Sequence, residues 1–225
     1  MTENFQQGHR ARLRNKILTG KADLLEDYEI LELILMYAIP RKDVKPLAKN
    51  LIERFGSLGN IVSAPLSDLL EVSGVKESTA ALLKSLQEVS LRLLKKETQK
   101  DTILDSWEKV ENYCFALLAR EEKEYVYLIA LNSQNAIISI EQLQKGTVDK
   151  ASLYEREVVE VLLKTGAVSF VLVHNHPSGS TRPSKEDIIR TQAIYNITKQ
   201  MKISLFDHLI VSKKGCASLR AMGYL

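Results

Sequence analysis

Fourteen residues, HNHPSGSTRPSKED (His174–Asp187), hold two histidines, three serines and an aspartate at spacings suited to metal chemistry. They follow an apolar run, VSFVLV, that reads as a buried strand. Side chains on a strand alternate faces, so His174 and His176 point the same way and both imidazoles can reach one ion. Pro177 ends the strand and Ser178-Gly179 opens a loop. Ser184 is the expected N-cap of the next helix. Asp187 then falls in that helix's first turn, where a negative charge is favoured. Two neutral imidazoles and a carboxylate make a three-ligand set. Structural zinc sites close with four protein ligands, whereas catalytic ones keep a position for water. Zinc held in this way brings the pKa of its water to about 7. Hydrolysis also needs a carboxylate to take the water's proton and pass it on. Glu121, Glu122 and Glu124, just before the run YVYLIAL, are the candidates. The same residues have plainer uses. HxH alone suits a strand in a core, Ser184 and Asp187 suffice as a helix cap, and EEKE reads as solvated charge.

The elements that must position these groups follow from periodicity. Residues 1–98 read as helical. Glu26–Ala38 places Ile30, Leu31, Ile34, Leu35 and Ala38 at helical spacing, and Pro40 ends it. A second helix runs near Val44–Phe55 and stops at Gly56. Val72-Ser73-Gly74-Val75 is a tight turn between two helical patterns, and a long amphipathic helix follows to about Lys96. The polar stretch KKETQKDT (Lys95–Thr102) separates this helical domain, 1–98, from a second domain, 103–225. There Asp105 and Glu108 suggest a capping box that opens a helix to Ala119. Strands are expected at Tyr125–Leu131, Ala136–Leu143, Val168–His176 and Asp207–Ser212. Helices are expected at Tyr154–Lys164 and Ser184–Met201. Mixed strands and helices make this half α/β or α+β, a sheet flanked by helices.

Composition narrows the function classes. The chain has 225 residues, 45% apolar and 26% charged, as in ordinary globular proteins. No run approaches the roughly 20 apolar residues that span a bilayer, and the polar start, MTENFQQGHR, does not read as a secretory leader. Cys114 and Cys216 lack metal-ligand spacing and read as reduced thiols, which points to a cytoplasmic protein without membrane partners. Net charge is +3, and all of it lies in residues 1–100, which hold 16 Lys and Arg against 13 Asp and Glu. Arg10, Arg12, Arg14 and Lys16 could contact phosphates or form a solvated helix face. Arg156 and Glu157 read as surface charges. His208, beside Asp207, reads as a structural strand residue, although such a pair could orient a ligand histidine from behind. A zinc deaminase would need H-x-E with a later P-C-x-x-C, which is absent.

HxHP followed by SxxD, with 10 residues between His176 and Asp187, resembles the JAMM motif of JAB1/MPN/Mov34 metalloenzymes. That resemblance makes His174, His176 and Asp187 zinc ligands, Glu124 the general acid/base, and Ser184 a group that stabilises the tetrahedral intermediate. HNHPSG, with GHRARL, ELILMYAI, LAKNLIERFGSL, Gly146-Thr147, Arg156–Val158 and DHLIV in the same order, is similar to the bacterial RadC family over nearly the whole chain. It implies a JAB/MPN-like domain with a mixed central sheet after an N-terminal helix-hairpin-helix-like domain. The implied activity is zinc-dependent cleavage of peptide or isopeptide bonds in a peptide or protein substrate. The alternative is a DNA-associated repair or recombination protein with a structural or vestigial metal site, touching DNA through the N-terminal domain. Three positions depart from the family wording: Glu155 stands for a proline, Ser180-Thr181 for Asp-Pro, and Lys76 for the second hairpin glycine.

Overall fold

The computed structural model describes residues 2–98, 107–145 and 151–225. The Asp105 cap and Gly146-Thr147 lie outside them. The chain forms two compact units, Met1–Val89 and Ser90–Leu225.

The first unit is helical: α1 (Thr2–Leu18), α2 (Asp27–Ala38), α3 (Lys45–Phe55), α4 (Leu58–Ser63), α5 (Leu66–Leu70) and α6 (Glu77–Thr98), whose last turns belong to the second unit. The apolar stripe of α2 supplies Leu31 and Leu35 to a core completed by Leu51, Ile61, Leu69 and Leu83. Glu29 starts α2 by accepting the Glu26 N–H at 3.2 Å. His9 of α1 meets the buried Glu32 carboxylate at 2.9 Å. Part of the basic face of α1 is used internally: the Arg10 guanidinium donates to the Pro40 and Lys42 carbonyls, and Lys16 pairs with Glu29 at 3.6 Å. The turn into α6 needs Gly74, whose φ is +97°. Gly74→Ala is expected to cost about 1–2 kcal/mol, because an L side chain is strained there. Space is not the obstacle, since the new Cβ would meet Leu47 Cδ1 at an ordinary 3.5 Å. A lower midpoint in urea unfolding checks this; an unchanged midpoint contradicts it.

The second unit is a mixed five-stranded sheet between helical layers, the α+β arrangement that the sequence implies. Its elements are α7 (Trp107–Leu118), β1 (Tyr125–Leu131), β2 (Ile137–Lys145), α8 (Ala151–Thr165), β3 (Ser169–Asn175), α9 (Lys185–Gln200), β4 (Ser204–Ser212) and β5 (Gly215–Ser218). Strand order is β2-β1-β3-β4-β5, with β3 and β4 parallel and the other pairs antiparallel. Alternation sorts the side chains into two cores. Ile129, Leu131, Val171, Val173, Leu209 and Val211 pack with Val110 and Leu118 of α7. Leu128, Ala130, Phe170, Leu172 and Leu205 pack with Val158 and Leu162 of α8 and Ile194 of α9. Every residue of β3 is buried because both of its faces are covered.

No described helix is long and apolar enough to cross a membrane. The short helix α4 and the strand β5 have no counterpart in the sequence reading, whereas α5 is the helical pattern expected before the Val72–Val75 turn. Both α4 and β5 are too short to show a period.

Candidate metal centre

The parallel pair β3/β4 is joined through α9, so the carboxyl end of β3 and the first turn of α9 lie at the same edge. In open α/β sheets this edge is where ligands bind. β1 runs antiparallel to β3, with Val126 opposite His174, and so brings its own start to that edge. The His176 N–H donates to the Val211 carbonyl at 2.9 Å, which carries the ladder past Asn175. His174 and His176 therefore share a face, as strand alternation requires. The chain then turns at Gly179, whose N–H donates to the His176 carbonyl at 3.0 Å. Ser184 and Asp187 form a reciprocal cap on α9. The Ser184 hydroxyl accepts the Asp187 N–H at 3.1 Å, and the Asp187 carboxylate accepts the Ser184 N–H at 2.7 Å.

That cap fixes a carboxylate against two imidazoles. His174 Nε2 lies 2.9 Å from His176 Nε2. Asp187 Oδ1 is 3.4 Å from His174 Nε2, and Oδ2 is 3.2 Å from His176 Nε2. Ligand atoms about 2.0–2.1 Å from a tetrahedral zinc sit about 3.3 Å from one another. The observed edges match that size. The proton inventory points the same way. His176 Nδ1 lies 3.0 Å from the Ser180 carbonyl, which can only accept, so a neutral His176 carries its proton at Nδ1 and turns a lone pair inward from Nε2. The main-chain carbonyl does this work, so the unusual Ser180 side chain leaves it untouched. Lone pairs of nitrogen and carboxylate oxygen converging at these distances require a cation or a proton between them. His174, His176 and Asp187 fit a divalent ion, and they form the one such group of His, Cys, Asp and Glu among the described residues.

The electrostatics are consistent with this. Without a cation, burial opposes the charge on Asp187, yet the hydrogen bonds that His174 and His176 donate when protonated at Nε2 outweigh it and hold the carboxyl well below the usual range. The hydrogen bond to Asp187 raises His176 above 6.5, against the opposing effect of burial, and the charge of Glu124 adds to the rise. Protons therefore compete for His176 at higher pH than for a free imidazole. Affinity for a divalent ion is expected to be highest near pH 8 and to weaken as pH falls below that raised value. A chelator-indicator titration from pH 8 to 5 checks this. An affinity unchanged between pH 8 and pH 5 contradicts it.

Glu124 is exposed and immediately precedes β1. The register that pairs Val126 with His174 puts Glu124 on the same face, and its charge is felt at His176. Glu122 sits in the exposed bend before it, and the charge of Glu121 acts on Tyr127 instead. Ser184 is exposed, and its hydroxyl oxygen is engaged by the helix cap, which leaves its proton free to donate. Arg156 is exposed on α8, and Glu157 beside it is partly buried. Cys114 and Cys216 are free thiols. Burial pushes both upward, Cys216 to about 11, so neither offers a thiolate at neutral pH.

Two residues matter here that sequence reasoning passed over, Asn175 and Thr191, together with His208, which it read as a structural strand residue. The buried Asn175, between the histidines but facing away from them, accepts the Tyr125 N–H at 2.8 Å and donates to the Lys123 carbonyl at 3.0 Å. It brackets the segment that carries Glu124. His208 of β4 places Nε2 2.8 Å from His174 Nδ1, and Thr191 of α9 meets His208 Nδ1 at 2.6 Å. Asp207 does not share in this. Its carboxylate is occupied by Ser218 Oγ at 2.5 Å and by the Arg220 N–H at 3.0 Å.

Comparison with known proteins adds a family. A model described as the RadC-like JAB domain matches residues 104–224. A protein of Ruegeria pomeroyi, UPF0758 protein SPO0054, is 39% identical over 222 residues, covering 99% of both chains.

Proposed function

Because this chain belongs to the RadC-like JAB-domain family, we propose that its second unit is a zinc-dependent hydrolase that cleaves peptide or isopeptide bonds. The observation that carries the proposal is the convergence of three acceptor atoms, two Nε2 and a carboxylate, beside the strand lead-in that bears Glu124. His174, His176 and Asp187 would hold the ion, leaving a fourth position open. When bound, zinc supplies acidification of water and polarisation of the substrate carbonyl. Glu124 takes the proton from the attacking water and returns it to the leaving amine. The Ser184 hydroxyl donates to the oxygen on which negative charge develops. Asn175 holds the Glu124 segment against the end of β3. The test is hydrolysis of a panel of peptides and isopeptide-linked proteins by the full chain, before and after chelation and on return of zinc. Cleavage lost on chelation and restored by zinc supports the reading. Cleavage indifferent to chelator contradicts it.

A second reading is favoured by one feature of the first unit. A mainly apolar hollow of about 430 Å³ beside Gly74 carries Arg41, Lys42 and Lys76 against the single acid Asp43, an excess of positive charge that favours a phosphate backbone. On this reading the chain would be a DNA-associated binding protein whose metal site is structural or vestigial. Binding of duplex DNA that weakens steeply with salt supports this reading, and no binding at low salt removes it.

A further inference from the structure

We propose that His208 and Thr191 form a positioning relay that fixes the tautomer of His174, so that its lone pair faces the metal position. This rests on the metal reading above and adds residues outside the ligand set.

The direction of every proton in the relay follows from one fixed end. The Asp187 main-chain carbonyl lies 2.5 Å from Thr191 Oγ1. A carbonyl has no proton, so the Thr191 hydroxyl must donate to it. Its proton spent, Thr191 Oγ1 accepts from His208 Nδ1 at 2.6 Å. His208 is 3% exposed, and the one carboxylate beside it in sequence, Asp207, is engaged elsewhere. A charged imidazole there would be costly, so the ring is neutral and its Nε2 carries a lone pair. That lone pair accepts from His174 Nδ1 at 2.8 Å. The lone pair of His174 is thereby left on Nε2, the atom that faces His176 and Asp187. The chain of bonds begins on the main chain of one ligand and ends on the ring of another.

The backbone is built to allow it. Along β4, Leu205 pairs with Phe170 but Asp207 pairs with Val171, so Phe206 is an extra residue. Phe206 and Leu209 both pack on the α7 side. Without the bulge, His208 would share the Phe206 side. With it, His208 faces α9 and Thr191. Bulges beside active sites re-aim side chains in this way.

The relay makes Thr191 informative, because Thr191→Val keeps the shape and removes only the hydroxyl. His208 Nδ1 then loses its acceptor, and the opposite tautomer would press a proton toward the metal position of His174. Two measurements on the full chain test this. Nitrogen-15 NMR of the histidine rings, in chelator-treated protein, should show His208 protonated at Nδ1 in the wild type and in Thr191→Ser, but not in Thr191→Val. Competition of Co2+ against a chromophoric chelator should show Thr191→Val and His208→Leu binding about 10–100-fold more weakly than wild type, with Thr191→Ser close to wild type. If wild type binds no Co2+, the metal reading fails, while the NMR arm still decides the relay. If wild type binds Co2+ and Thr191→Val matches it in affinity and in His208 tautomer, the relay is overturned. Should His208→Leu not fold, the Thr191 pair decides alone.

Discussion

His174→Ala is expected to leave the second unit folded, empty of zinc and without hydrolytic activity. In the proposed site the imidazole would be one of three ligands, and it sits at the end of β3, beyond the side chains that pack against α7 and α9. Its removal leaves His176 and Asp187 as a two-ligand set, too few for a catalytic site that also holds water. The affinity loss should exceed the roughly 10–100-fold that follows from removing an outer hydrogen-bond partner. Metal analysis, activity assay and a thermal melt of the same sample check the three parts. Zinc retained at the wild-type level would exclude His174 as a ligand.

Glu124→Gln is expected to do the opposite to the metal and nearly the same to the reaction. Gln keeps the size of the side chain and cannot accept and release a proton, so hydrolysis should fall about 10²–10⁴-fold with zinc content unchanged. The exposed position of Glu124 before β1 means that little packing is lost. A variant that keeps wild-type turnover would move the role to Glu122 or exclude a proton-shuttling carboxylate from this segment. A variant that loses zinc would make Glu124 a fourth ligand instead.

The sequence revealed the candidate site well because its parts are local. Two histidines two apart on an apolar strand, a proline to stop it, and a serine three residues before an aspartate each have a fixed geometric consequence, and α9 begins at Lys185 with Ser184 as its cap. The helix ends at Gly56 and before Gly166 were legible for the same reason, since both residues adopt positive φ there. The surrounding groups were not legible because they depend on register. The bulge at Phe206 shifts the phase of β4 by one, so counting in twos from Leu205 puts His208 on the wrong face. Asp207 and His208 read from sequence as a plain structural strand rather than as a pair behind a ligand histidine; the imidazole nevertheless reaches His174, while the carboxylate turns to Ser218 and Arg220. Asn175 lies between the two histidines, yet nothing in its neighbours announces that its amide holds the segment before β1 fifty residues away in the chain.

Elemental analysis of the purified full chain beside Asp187→Ala tests the central claim most directly. The wild type should carry about one zinc per chain and the variant close to none, with both folded to the same degree. Equal metal in the two proteins, or none in the wild type even after incubation with zinc, would contradict the claim that the end of β3 and the first turn of α9 close on one ion.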